Sequence, residues 1–189
     1  MQIEPIVTTG HLYAVSNVFP TAIADQLDRT DWTQFNYTRL AIGSARRRQL
    51  QYDTDANPAM FAHIWQSVLP QIQQECGVEF TDLTQAAVTW WLDEPGFRPR
   101  MHTDGNKPSA LQVYWHPDRE DLGTAFYSSS NVKDLIHYFV SRPNTGYLMF
   151  NTHQPRPELW HDMTKPVPAD VLRLCLYISF GPYVLTVKR

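Results

Sequence analysis

Two patterns of hydrophobic and polar positions divide the chain. From Gln85 onward short β-rich segments recur at regular spacing, punctuated by Gly, Pro and polar turns: Ala86–Asp93, Pro99–Thr103, Ala110–His116, Gly123–Tyr127, Leu135–Val140, Tyr147–Asn151, Glu158–Met163 and Val171–Phe180. No helical periodicity lies between them. Eight such segments are the pattern of an antiparallel sandwich or barrel, and eight strands in two sheets make a jelly roll. In the last segment, period 2 sets Arg173, Cys175, Tyr177 and Ser179 on one face and Leu174, Leu176, Ile178 and Phe180 on the other.

Before Gln85 the pattern is mixed. Ile3 to Val18 holds short β-leaning pieces such as His11–Val15. Pro20 opens a helical run, Thr21–Asp28, with Ala22, Ile23 and Leu27 at helical spacing. Trp32, Phe35 and Tyr37 fall close together, as core or as pocket wall. Arg46–Gln51 reads as a polar strand or loop. Asn57-Pro58 is a helix start, with Asn at the N-cap and Pro at the first helical position, and the helix runs to about Cys76 with Gly77 as its stop. Phe61, Ile64, Trp65, Val68 and Ile72 share one face of it, and Pro70 inside it predicts a kink or a break. The expectation is a mainly β protein with flanking helices in one domain over residues 1–189, its N-terminal buttress about 1–84 and its β core about 85–180.

Composition narrows the classes. With 189 residues, 43% hydrophobic and 19% charged, the balance is that of an ordinary globular domain. The net charge of −3 and the single short basic run, Arg46-Arg47-Arg48, give no nucleic-acid stripe; that run reads as a solvated edge or an anion contact. Cys76 and Cys175, far apart in sequence, read as free thiols of a reducing compartment. No secretory signal and no membrane-length apolar stretch occurs, so the expectation is a cytoplasmic protein without nucleic-acid or membrane partners.

The candidate chemistry centres on Met101-His102-Thr103-Asp104-Gly105. Residues i and i+2 of an extended strand point to one face, so His102 and Asp104 aim an imidazole and a carboxylate at one point. That is two thirds of the 2-His-1-carboxylate set that holds Fe(II) with positions left open; the competing reading is the polar end of a strand beside a turn. Three imidazoles follow, His137, His153 and His161. The turn 165–170 centres on 167, midway between His161 and Arg173, and so brings these two to comparable depth on neighbouring strands, whether those pair directly or face each other across the sandwich. An Arg opening an otherwise apolar strand needs an anionic partner, and its planar fork suits a carboxylate.

An H-x-D, a distal His and an Arg a dozen residues later, laid over eight short strands, resemble the Fe(II)/2-oxoglutarate-dependent oxygenases, with the prolyl-4-hydroxylase-like enzymes the nearest subgroup. The resemblance covers about 85–180 and extends to context: Glu94-Pro95-Gly96-Phe97 looks like the family's approach loop, Leu111–Trp115 with Gly123-Thr124 like its third and fourth core strands, and Asn144–Phe150 like the strand before the distal His. It implies a double-stranded β-helix with His102, Asp104 and His161 as iron ligands. It also implies Arg173 on the distal carboxylate of 2-oxoglutarate, with Tyr114 as a further cosubstrate contact. His153 is the alternative third ligand, while His11, His116 and His137 read as structural. Cys175 stands where many members carry Ser or Thr, which puts that extra hydrogen bond in question. The implied activity converts 2-oxoglutarate and O₂ to succinate and CO₂ and hydroxylates a small molecule or a peptidyl residue, with ascorbate as reductant. Two other readings fit a jelly roll: a cupin-type small-ligand binder and a zinc-dependent lyase or hydrolase.

Overall fold

The computed structural model describes residues 1–6, 11–35, 38–39, 46–51, 57–104, 107–151 and 159–186. Its strands in chain order are β1 (Gln2–Pro5), β2 (Leu12–Ser16), β3 (Thr38–Arg39), β4 (Arg47–Gln51), β5 (Val78–Phe80), β6 (Ala87–Asp93), β7 (Ser109–His116), β8 (Arg119–Tyr127), β9 (Leu135–Ser141), β10 (Thr145–Phe150), β11 (Trp160–Asp162), β12 (Arg173–Phe180) and β13 (Tyr183–Leu185). The helices are α1 (Thr21–Asp28), α2 (Pro58–His63) and α3 (Leu69–Cys76). None of the helices among the described residues is long and apolar enough to cross a membrane.

Every strand pairing among the described residues is antiparallel. The large sheet runs β1-β2-β10-β7-β12-β6-β4-β3, and a smaller one runs β11-β8-β9. His102 joins the small sheet through one antiparallel bridge to His161, closed by backbone hydrogen bonds of 3.1 and 2.8 Å in the two directions. The four central strands of the large sheet and the four segments of the small one form the double-stranded β-helix, or jelly roll. The expected strand Pro99–Thr103 survives only as that bridge. Pro99 has no N–H to give a ladder, and the carbonyl of Arg100 faces the His102 ring at 2.7 Å.

The chain before residue 84 does more than cover the β core. β1, β2, β3 and β4 extend the large sheet on both sides, and β4 pairs with β6 in the register Arg47↔Asp93, Gln49↔Trp91. The pair β5–β13 is a further addition to the expected strands.

The alternation along β12 sorts its residues between two cores. Leu174, Leu176, Ile178 and Phe180 join Trp90, Leu111, Val113 and Trp115 on the outer face, where Ile23 and Leu27 of α1 and Met60, Ile64, Val68 and Ile72 of the longer helical run cover them. Trp32 belongs here, its ring centroid 4.2 Å from that of Trp90, so it is core and not pocket wall. Tyr37 lies outside the described residues. Cys175 and Tyr177 face inward with Tyr114, Phe126, Phe139 and Tyr147, between the sheets.

The run from Asn57 starts and stops as its sequence indicates. The Asn57 side chain accepts from Met60 N–H at 2.9 Å, and Gly77 takes the left-handed conformation at φ 65°. Pro70 neither breaks nor sharply ends it. A π-helical turn, Ile64–Val68, precedes Pro70 and widens the backbone where that residue has no N–H to donate. Asn57 is buried, so Asn57→Ala is expected to cost about 1 kcal/mol, read as a lower urea midpoint at unchanged slope.

Candidate metal centre

One ligand atom each from His102, Asp104 and His161 lies within 4.8 Å of the other two. His102 Nε2 is 3.6 Å from Asp104 Oδ1, and His161 Nε2 is 3.9 Å from Asp104 Oδ2. The reciprocal bridge between residues 102 and 161 sets the two rings side by side, tilted by 51° with centroids 4.3 Å apart. Each ring turns its Nδ1 to a backbone carbonyl, His102 to Arg100 at 2.7 Å and His161 to Leu159 at 3.2 Å. That contact fixes the tautomer with hydrogen on Nδ1 and leaves both Nε2 lone pairs aimed at the shared point, the arrangement metal-bound histidines use. Phe126 stacks on the His161 ring at 5.0 Å. Burial pushes the His161 pKa down against the pull of Asp104, keeping the imidazole in the neutral form that ligates.

The carboxylate is held as firmly. Tyr177 donates its hydroxyl to Asp104 Oδ2 at 3.1 Å, and Asn151 donates to the Asp104 backbone carbonyl at 3.2 Å. Burial raises the Tyr177 pKa well above the ordinary phenol value, so it stays a donor. Asp162, next to His161, accepts from Tyr127 at 3.1 Å and pairs with Arg98 at 3.6 Å, which anchors the short strand β11.

The triad opens into a cavity lined also by Arg47, Trp91, Lys107, Gln112, Arg173 and Tyr177. Arg173 sits four residues before Tyr177 on the same inward face, about 13 Å along the strand. It is fully buried, and one of its nitrogens, Nη1, donates to Asp93 Oδ2 at 2.6 Å. Its Nε and Nη2 are buried and meet no acceptor among the described residues. Desolvation opposes the charge, but its neighbours, the Asp93 carboxylate among them, outweigh that and raise its pKa. Tyr114 is also fully buried, its ring 5.3 Å below the Arg173 guanidinium, and its hydroxyl, beside Thr124, makes no well-formed hydrogen bond among the described residues. Burial pushes the Cys175 thiol up to about 11, so a neutral S–H stands beside Arg173.

His161 and Arg173 thus face one cavity from opposite sheets. His137 lies on the row of His161, but Phe126 stands between them. His116 is exposed, and His153 lies outside the described residues. Sequence reasoning missed Arg47 as a cavity residue, together with Trp91 and Lys107. The alternation in the strand before the H-x-D could have placed Trp91 inward with Asp93.

The fold is that of several solved oxygenases. A prolyl-4-hydroxylase from Pseudomonas putida matches with a TM-score of 0.63 at 15% identity, over 93% of this chain and 95% of that one. HygX from Streptomyces hygroscopicus, solved with nickel and 2-oxoglutarate, matches with a TM-score of 0.61 at 13% identity, over 93% and 84%. The non-heme α-ketoglutarate-dependent epimerase SnoN of nogalamycin biosynthesis matches with a TM-score of 0.61 at 10% identity, over 94% and 79%. No family model and no curated protein matches the sequence.

Proposed function

We propose that the chain is an Fe(II)- and 2-oxoglutarate-dependent dioxygenase that hydroxylates an organic substrate, a small molecule or a peptidyl residue, with release of succinate and CO₂. One observation carries the reading. Two imidazoles and a carboxylate converge at one end of a cavity whose other end presents two buried guanidinium donors with no partner among the described residues. Two neutral nitrogens and one carboxylate suit Fe(II) and leave part of its coordination shell to other ligands. The structures of HygX with nickel and 2-oxoglutarate and of SnoN with Fe³⁺ and α-ketoglutarate support carrying these groups over.

His102, Asp104 and His161 would hold the iron, and Arg173 the distal carboxylate of the cosubstrate with Tyr114 beside it. Together the metal, 2-oxoglutarate and O₂ would supply the oxidising chemistry, while the protein supplies orientation, charge matching and a cavity walled by Trp91, Tyr147 and Tyr177. Tyr177 keeps Asp104 turned toward the two rings. The neutral Cys175 thiol adds no charge beside Arg173.

The test is succinate formation from 2-oxoglutarate by the purified protein with Fe(II) and ascorbate, without a primary substrate. Slow turnover that a chelator stops and Fe(II) restores is expected. Absence of both turnover and 2-oxoglutarate binding to the metal-loaded protein would leave a binding module in its place.

A further inference from the structure

The row Arg47↔Asp93↔Arg173 crosses three neighbouring strands, β4, β6 and β12, at the far end of the cavity. Asp93 is fully buried, yet two guanidiniums contact it. Arg47 takes both of its oxygens, Nε to Oδ1 at 2.5 Å and Nη2 to Oδ2 at 3.0 Å. Arg173 takes one, through Nη1. Arg47 is itself held between aromatic rings, its guanidinium carbon 4.9 Å from the centre of Trp91 and 4.2 Å from that of Phe97. Two cations and one carboxylate leave one positive charge, enough for one further carboxylate.

A carboxylate beside a lone guanidinium prefers to accept from two nitrogens in parallel. Freed of Arg47, Asp93 would therefore turn to engage Arg173 through a second donor and close the fork that now stands open. We infer that Arg47 is a positioning residue for the cosubstrate: by holding both oxygens of Asp93 it keeps Arg173 Nε and Nη2 free for the distal carboxylate of a 2-oxo diacid. This rests on the proposed function. It gives the edge strand β4, from the N-terminal half of the chain, a part in cosubstrate affinity.

The experiment is calorimetric titration of 2-oxoglutarate into the Ni(II)-loaded full-length protein, for wild type, Arg47→Ala, Asp93→Asn and the double variant, with thermal melting of each before ligand is added. Arg47→Ala is expected to raise the 2-oxoglutarate Kd at least about tenfold, one charge-assisted hydrogen bond's worth. The double variant is expected to return to within about threefold of wild type, because an amide carries no charge to compete for the fork. Arg47→Lys, which keeps the charge and loses the two-point contact, is expected to fall between and serves if the alanine variant does not fold. An unchanged Kd in Arg47→Ala overturns the inference. So does a double variant that melts normally but binds no better than Arg47→Ala, which would make Arg47 a structural residue only. A wild type that binds no 2-oxoglutarate overturns the functional reading and the role of Arg47 with it; binding that Arg173→Ala loses and Arg47→Ala keeps overturns the role of Arg47 alone.

Discussion

Asp104→Ala is expected to yield a folded protein that no longer turns over 2-oxoglutarate. Asp104 supplies the one carboxylate of the cluster, and its removal leaves two neutral imidazoles to hold a dication. Succinate formation should fall by at least about 10³, roughly 4 kcal/mol, and metal affinity should fall with it. The fold should bear the change because the side chain lies outside the strands and is not part of either hydrophobic core. What the alanine leaves behind is the buried Tyr177 hydroxyl without its acceptor, a loss of about 1 kcal/mol and about 2–4 °C in melting temperature for a chain of this size. Asp104→Asn keeps that acceptor and the shape while losing the charge, so it should melt like the wild type and be inactive. Succinate rates and thermal melts of both variants decide the matter. A collapse of Asp104→Ala well below that melting range would mean that the carboxylate is structural.

The parts of this architecture legible in the sequence are those that depend on local period. Alternation along β12 separates Leu174, Leu176 and Ile178 from Cys175 and Tyr177, and the structure puts them in two different cores. The Asn57-Pro58 start and the Gly77 stop are equally local, since each depends on one residue's conformational preference. The spacing of two is what points His102 and Asp104 at one place, while the choice of His161 among three imidazoles and the role given to Arg173 come from the family resemblance; the structure brings the first three together and sets Arg173 on the same cavity. What stayed hidden depends on partners distant in the chain. Nothing near Arg47 distinguishes it from Arg46 and Arg48; only pairing with β6, whose Asp93 is 46 residues away, turns it toward the cavity. The same holds for β5 and β13, three-residue strands about a hundred positions apart. The strand expected at Pro99–Thr103 fails for the opposite reason. Its composition leans toward β, but a proline and a ring-to-carbonyl contact remove the groups that would have made a ladder, leaving a single bridge at the residue that matters for the site.

Arg173 carries the second large effect. Its fork has one nitrogen on Asp93 and two donors without partners among the described residues, all buried. Two charge-assisted hydrogen bonds to a distal carboxylate are worth about 1.5–3 kcal/mol each, so Arg173→Ala should raise the KM for 2-oxoglutarate by about two orders of magnitude or more. Arg173→Lys keeps the charge but cannot present two parallel donors, and its KM should rise less than in the alanine variant. Both changes disturb a buried ion pair, which alone can cost about 3–5 kcal/mol when one partner is lost. Here Asp93 keeps both contacts to Arg47, so the variants should melt lower but still cooperatively. Succinate kinetics at saturating 2-oxoglutarate separate the two consequences. The rate of the lysine variant should recover toward wild type as the cosubstrate is raised, whereas a damaged fold would depress it at every concentration. An unchanged KM in the alanine variant would remove Arg173 from cosubstrate binding and leave the proposed activity resting on the metal cluster alone.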